Sequence, residues 1–241
     1  MGFIQRYNFR TKILNISHLE DSTRLDLNNM LKIISNLTLL HSFYSFLINL
    51  LPGFLIHNTS KYIVIKKILI NLWIDQIEGD YIEFGIFTGS SFKHTIRTEN
   101  KLNKRNITKF YGLDSFEGFP ENDHPFFQDT NFKSSYKRAK KIEDKFKDKA
   151  FVFKGYFKDS LRSESKLMNI KKLKFVNIDC DLYLSSIEPM EFIIPHLSKG
   201  AYIMIDDFTN IDSEGNSIRD LFYKKFNNHD FEITNSFGID G

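Results

Sequence analysis

One cysteine, one tryptophan and five prolines are all of those types that 241 residues contain, and each shortage closes off a class. A lone Cys180 permits no internal disulfide and no multi-cysteine zinc site, which makes a reduced, cytoplasmic compartment the default. The opening residues, MGFIQRYNFRTK, are polar and lack the apolar core of a secretory signal. No Gly/Ser-rich linker and no internal repeat divides the chain. Charged residues make up 26% and hydrophobic ones 41%, a balance that supports a buried core and argues against wholesale disorder. Phenylalanine, by contrast, is abundant at 25 residues. With the many Ile, Lys and Asn residues, this reads as a compositional habit of the source genome.

The net charge is only +3, but it is unevenly placed. Across residues 133–174, Lys and Arg outnumber Asp and Glu about three to one. A solvated helix face and loop accounts for such a run. Nucleic-acid contact is the competing reading, and no arginine-rich run or interleaved aromatic pattern supports it. Residues 37–56 are unusual in the opposite sense, holding no charged residue. That length raises the question of a membrane span. His41, Ser42, Ser45, Asn49 and the Pro52-Gly53 pair interrupt it, so the expectation is a buried or substrate-capping helix that ends at Pro52.

Texture divides the chain near residue 77. Residues 1–77 read as a helical N-terminal cap, with apolar stripes through 25–40 and 63–77. From Gly79 onward, short apolar runs alternate with helical segments, the pattern of βα units on a mostly parallel sheet. Strands are expected at 81–84, 109–113, 151–153, 175–178, 202–205 and 231–234, with helices at 90–97, 136–147, 187–196 and 217–226. Residues 78–241 then form one doubly wound α/β domain. The chain stops at Gly238-Ile239-Asp240-Gly241, which reads as a turn after a strand with its hairpin partner missing, as in a truncated sequence.

Chemistry gathers where these strands end. The first expected strand runs into Glu83-Phe84-Gly85-Ile86-Phe87-Thr88-Gly89-Ser90-Ser91. Gly85 and Gly89 let the backbone approach a ligand closely, and Ser90 or Ser91 suits the start of the next helix. The spacing is not G-x-G-x-x-G, which weakens a nicotinamide reading; an ordinary βα turn is the bland alternative. The second strand delivers Asp114 and Ser115. A carboxylate at that position accepts from both hydroxyls of a ribose, although Asp-Ser also makes common turns. Asp179 and Asp181 follow the fourth strand and the Asp206-Asp207 doublet follows the fifth, with one crossover helix between them. Parallel pairing sets these acids side by side at the edge where open α/β sheets bind ligands. Hard oxygen donors of this kind suit Mg²⁺ or Ca²⁺. Capping of the following helices explains one Asp per strand end, but not a doublet facing a second acidic group.

Four blocks in this order, Gly79-Asp80-Tyr81-Ile82-Glu83-Phe84-Gly85, Asp114-Ser115-Phe116-Glu117-Gly118-Phe119-Pro120, Asp179-Cys180-Asp181-Leu182-Tyr183 and Asp206-Asp207-Phe208, resemble the macrocin O-methyltransferase (TylF-type) family. The resemblance covers residues 79–208, and Gly155-Tyr156-Phe157-Lys158-Asp159-Ser160-Leu161 is similar to a further family block. It implies a class I, Rossmann-like methyltransferase fold that uses S-adenosylmethionine and Mg²⁺ to methylate sugar hydroxyls. It also implies that Asp179, Asp206 and Asp207 hold the metal. Glu83, Gly85, Ser91 and Asp114 fall at cofactor-contacting positions, with Gly89, Ser90 and Ser115 in the same loops. The N-terminal segment is not recognisably the family's, and a final strand is absent.

Methyl transfer from a sulfonium is an in-line displacement, so the acceptor oxygen must be aligned and lose its proton. Asp179 is the first candidate for the base and Asp181 the second, with His124 a lesser one. The expected partner is a small-molecule or glycan hydroxyl; nucleic acid and membrane are disfavoured, and a homo-oligomer is compatible with the sequence. Three rivals stand beside this reading: a nucleic-acid methyltransferase using residues 133–174, a membrane-associated binding module using residues 37–56, and a nicotinamide-dependent dehydrogenase.

Overall fold

The computed structural model describes residues 38–103, 107–120, 122, 132–163 and 169–238. The chain divides into two compact units, Met1–Pro52 and Gly53–Gly241. In the first, the described element is α1 (Thr38–Leu50). It ends before Pro52, as expected of a residue without an N–H. The burial expected of it is not found: residues 42–50 are exposed, and Phe43, Tyr44 and Phe46 are each more than half open to solvent. Among the described residues, no helix is long and apolar enough to cross a membrane. Most of the apolar stripe at 25–40, and His124, lie outside the described residues.

The second unit begins earlier than residue 78, because α2 (Gly53–Ile74) belongs to it. There follow β1 (Asp80–Phe84), α3 (Ser90–Leu102), β2 (Phe110–Asp114), α4 (Tyr136–Lys145), β3 (Ala150–Lys154), α5 (Phe157–Ser163), β4 (Leu173–Ile178), α6 (Tyr183–Ile193), β5 (Leu197–Ile205) and α7 (Ile218–Lys225). The five strands are all parallel, in the order β3-β2-β1-β4-β5. This is the doubly wound sheet that alternating βα units predict. The order reverses between β1 and β4, which places the ligand crevice at their carboxyl ends.

Strand alternation sorts the core into two layers. Tyr81, Phe110, Val152, Phe175 and Met204 face a layer built by α2, α3 and α4. Ile82, Phe84, Tyr111, Leu113, Val176 and Ile178 face Leu161 of α5, Met190 and Ile193 of α6, and Leu221 and Phe222 of α7. Helix α2 enters the first layer through Val64, Ile65, Ile68, Leu69 and Leu72. That spacing is one helical face, and it fixes the rotation of everything else on α2. Part of the basic excess at 133–174 is structural: Lys174, buried, donates to Glu99 Oε1 at 2.6 Å and to Thr108 Oγ1 at 2.9 Å.

One expected strand is missing. Residues 231–234 alternate like a strand but run irregularly, and Phe231 instead packs edge-on against Phe222 with ring centres 4.9 Å apart. The chain then carries Phe237 into the first layer, against the His57 ring at 5.7 Å.

Candidate active site

Every strand of this sheet ends in a loop that serves the same edge. After β1 the chain turns at Gly85, in the left-handed region at φ 86°, where L side chains are strained. A Cβ there would overlap the carbonyl oxygen of Asp179 on the neighbouring strand end. Asp114 closes β2, and its two carboxylate oxygens accept the backbone N–H groups of Phe116 at 2.6 Å and Phe87 at 2.7 Å. Those bonds tie the β1 loop to the β2 loop while leaving further lone pairs on each oxygen. Ser115 Oγ donates to the Gly118 carbonyl at 2.6 Å and closes the second loop on itself. Together with Gly155 and Tyr156 after β3 and Asp179–Asp181 after β4, these residues line a cavity of about 440 Å³. Phe87, Phe119, Phe132, Phe157 and Leu184 give it apolar walls. Four non-glycine residues at this edge, Phe87, Phe116, Asp181 and Asp207, carry positive φ, a form of strain that gathers at functional sites.

Beside the cavity lies an acidic cluster with a lysine inside it. Lys61, on α2, donates to Asp179 Oδ2 and, at 2.9 Å, to Asp206 Oδ2. His57, one turn earlier on the same helix face, meets the same Asp206 oxygen through Nε2 at 3.2 Å. Side-chain exposure is 6% for Lys61, 5% for Asp206 and 20% for Asp179. Asp207 does not join them. Its carboxyl group is hydrogen-bonded to that of Asp181 and accepts from Asn210 Nδ2 at 2.9 Å.

The charges follow from this packing. Burial would drive Lys61 neutral, but Asp179 and Asp206 outweigh it and keep the ammonium protonated. Burial also works against Asp206, yet Lys61, backed by His57, holds its carboxyl below the usual range. Asp179, with Asp206 as an added like charge, is pushed up by burial to about 7 although Lys61 opposes the rise. Burial first, then the facing Asp207, raises Asp181 well above the usual carboxylate range. Burial likewise raises Asp207, so both members of the Asp181–Asp207 pair are held toward the protonated form.

Residues 61–235 match the family described as Macrocin-O-methyltransferase (TylF). The chain belongs to this family. Among curated relatives of this chain is the 8-demethyl-8-(2,3-dimethoxy-alpha-L-rhamnosyl)-tetracenomycin-C 4'-O-methyltransferase of Streptomyces olivaceus. The two are 24% identical, over 61% of this chain and 59% of that protein. The mycinamicin III 3''-O-methyltransferase of Micromonospora griseorubida is 25% identical over 56% of this chain and 57% of that one. The chain thus spans less than two thirds of the length of these relatives. Two solved structures share the fold. The O-methyltransferase NovP superposes with a TM-score of 0.59 at 20% identity, over 73% of this chain and 75% of that one. The calicheamicin methyltransferase CalS11 superposes with a TM-score of 0.61 at 17% identity, over 86% and 85%.

Within this TylF-family fold, the cofactor candidates separate. Gly85, Asp114 and Ser115 line the cavity. Glu83 does not: it points into the α2–α3 layer with no solvent exposure, and its carboxylate accepts from Ser91 Oγ and the Tyr81 hydroxyl. Ser91 is thereby spent on Glu83. Ser90 is exposed, its hydroxyl 3.0 Å from that of Thr88. Gly89 is needed for another reason: at φ 75° it stands where L side chains are strained. The expected convergence of Asp179, Asp206 and Asp207 is half met. Two of them converge, on Lys61, while Asp207 is engaged by Asp181 and Asn210. Among the described residues, no three His, Cys, Asp or Glu side chains gather as a metal ion requires. The donor chemistry suits a hard divalent ion, but the arrangement as it stands does not fit one, because an ammonium fills the point where two of the carboxylates meet. Lys61 and His57 were missed from the sequence; their i, i+4 spacing was the one available signal.

Proposed function

We propose that this chain is an S-adenosylmethionine-dependent O-methyltransferase that methylates a hydroxyl of a sugar or similar diol on a small molecule. The carrying observation is the cavity that runs along the ends of β2, β1 and β4, with Asp114 and Asp179 both on its wall. Three adjacent strand ends span roughly 10 Å from first to third, room for a nucleoside on the β2 side and an acceptor hydroxyl on the β4 side. Family membership favours this chemistry, and the rhamnosyl acceptor in the name of the Streptomyces olivaceus relative favours the sugar.

In this reading Asp114 accepts from the ribose hydroxyls. The aromatic walls exclude water and hold the nucleoside so that the methyl group faces β4. The acceptor oxygen forms its bond to the methyl carbon as the sulfur–carbon bond breaks, which discharges the sulfonium. Asp179 takes the hydroxyl proton. A carboxylate raised to about 7 is a better base at neutral pH than an ordinary one. Asp181, whose carboxyl is engaged by Asp207, is the poorer candidate.

Divalent-metal assistance by Asp179, Asp206 and Asp207 is the finer part of the proposal. When bound there, such an ion would polarise the acceptor oxygen and ease its deprotonation. It requires Lys61 to leave its place.

Two variants test the assignment. Asp114→Ala should weaken S-adenosylmethionine binding by about 1–3 kcal/mol, the value of charge-assisted hydrogen bonds, as measured by calorimetry. Asp179→Asn should bind the cofactor normally and lose turnover by about 10²–10⁴-fold, the range for a general base, in a methyl-transfer assay on glycosylated acceptors. Normal cofactor affinity in the first variant would move the ribose elsewhere. Normal turnover in the second would remove Asp179 from the chemistry.

A further inference from the structure

We propose that Lys61 is the resident cation of the acidic site, and that its ammonium and a divalent metal ion compete for the same two oxygens, Oδ2 of Asp179 and Oδ2 of Asp206. What the site is for rests on the methyltransferase reading. The competition itself is a property of the side chains.

Lys61 has little freedom to be anywhere else while α2 is docked. The apolar face that begins three residues later, at Val64 and Ile65, is sealed in the core and sets the helix rotation. The lysine stem therefore runs along the inner face of α2 toward the ends of β4 and β5, and the ammonium sits among buried carboxylates. Both acids turn the same oxygen toward it, so one point between them is the focus of the negative charge. A hard divalent ion bound by these two acids would sit about 2.1 Å from its oxygen ligands, too near the ammonium for both to stay. Cation–cation repulsion in a site this dry is strong.

An ordinary structural ion pair does not look like this one. A structural lysine needs one carboxylate, as Lys174 has in Glu99. Lys61 serves two, and Asp181 and Asp207 stand immediately beside them. Two carboxylates bonded to one ammonium leave surplus negative charge at that point. Asp179 and Asp181 also line the cavity, so a small cation has a route in. Lysine suits an exchangeable occupant, being a compact charge on a flexible four-carbon stem. His57 can stay on Asp206 while Lys61 withdraws, because it reaches that oxygen from one turn away.

The test is Mn²⁺ binding, followed by calorimetry and electron paramagnetic resonance, for the unsubstituted chain, Lys61→Met and Lys61→Arg. S-adenosylmethionine binding is measured in parallel. Lys61→Met should bind Mn²⁺ about tenfold more tightly or better, since a unit positive charge has left the metal's surroundings. Lys61→Arg, which keeps the charge, should bind no more tightly than the unsubstituted chain. Equal or weaker Mn²⁺ binding by Lys61→Met, or none by either chain, overturns the proposal. Should Lys61→Met fail to fold, the unsubstituted chain carrying ¹³Cε-labelled lysine decides. One lysine resonance should shift as Mg²⁺ is added, and the absence of any lysine shift overturns the competition. Cofactor binding without a Mn²⁺ difference sinks this inference and leaves the methyltransferase reading. A Mn²⁺ difference without cofactor binding does the reverse.

Discussion

Gly85→Ala is expected to abolish S-adenosylmethionine binding and to lower the unfolding free energy by roughly 3 kcal/mol or more. Two independent penalties add. The backbone stands at φ 86°, and a non-glycine residue there costs about 1–2 kcal/mol. The new methyl would also overlap the Asp179 carbonyl oxygen, and that oxygen cannot retreat. The Asp179 N–H is bonded to the Phe84 carbonyl at 2.9 Å, and the Gly85 N–H to the Leu113 carbonyl at 2.8 Å. Both sides of the clash are therefore anchored in the sheet. Relief would have to prise β1 from β4 at the point where the cavity opens. Urea unfolding and calorimetry would measure the two effects together. A variant that melts and binds like the unsubstituted chain would show that the turn has slack which this packing does not suggest.

Local rules carried most of the fold. Short apolar runs separated by helical periodicity placed β1–β5 in order, and the helical segment between consecutive runs is the crossover that parallel pairing requires. Asp114, Asp179 and Asp206 were legible because each ends a strand. Where the reading stopped, the missing information was tertiary. Glu83 shares a strand face with Tyr81, so alternation tells which way it points but not that α2 and Ser91 cover it. The sequence 231–234 has a strand's alternation, yet a strand also needs a free edge in register, and Phe231 gains more by packing on α7. The Asp206-Asp207 doublet invited a joint metal role, but consecutive side chains diverge. Asp206 turns to Lys61 and Asp207, at φ 51°, turns to Asp181 and Asn210. Lys61 itself lies 118 residues from Asp179 and 145 from Asp206. Its i, i+4 spacing from His57 puts two basic side chains on one face, but only the docking of α2 brings them to the acids.

The stability of the chain should depend on Lys61 more than on any surface ion pair. Lys61→Met keeps the length and most of the volume of the side chain, so the change is one of charge. It leaves Asp179 and Asp206 buried beside each other with no ammonium between them. Breaking a buried pair from one side costs about 3–5 kcal/mol, far more than losing a solvent-screened pair such as Lys154–Glu117. The loss should vary with pH in a direction that identifies its cause. Without Lys61, burial and mutual repulsion should raise both carboxyls above their unfolded-chain values. Such groups take up protons on folding, so the variant regains stability as pH falls and loses it as pH rises through the raised values. The deficit in chelator should accordingly be larger at pH 8 than at pH 6. Adding Asp206→Asn to Lys61→Met removes one of the two like charges and should recover part of the deficit, a coupling that a double-mutant cycle reads directly. A deficit below about 1 kcal/mol that is flat with pH, with no recovery in the double variant, would mean that water rather than Lys61 neutralises these acids.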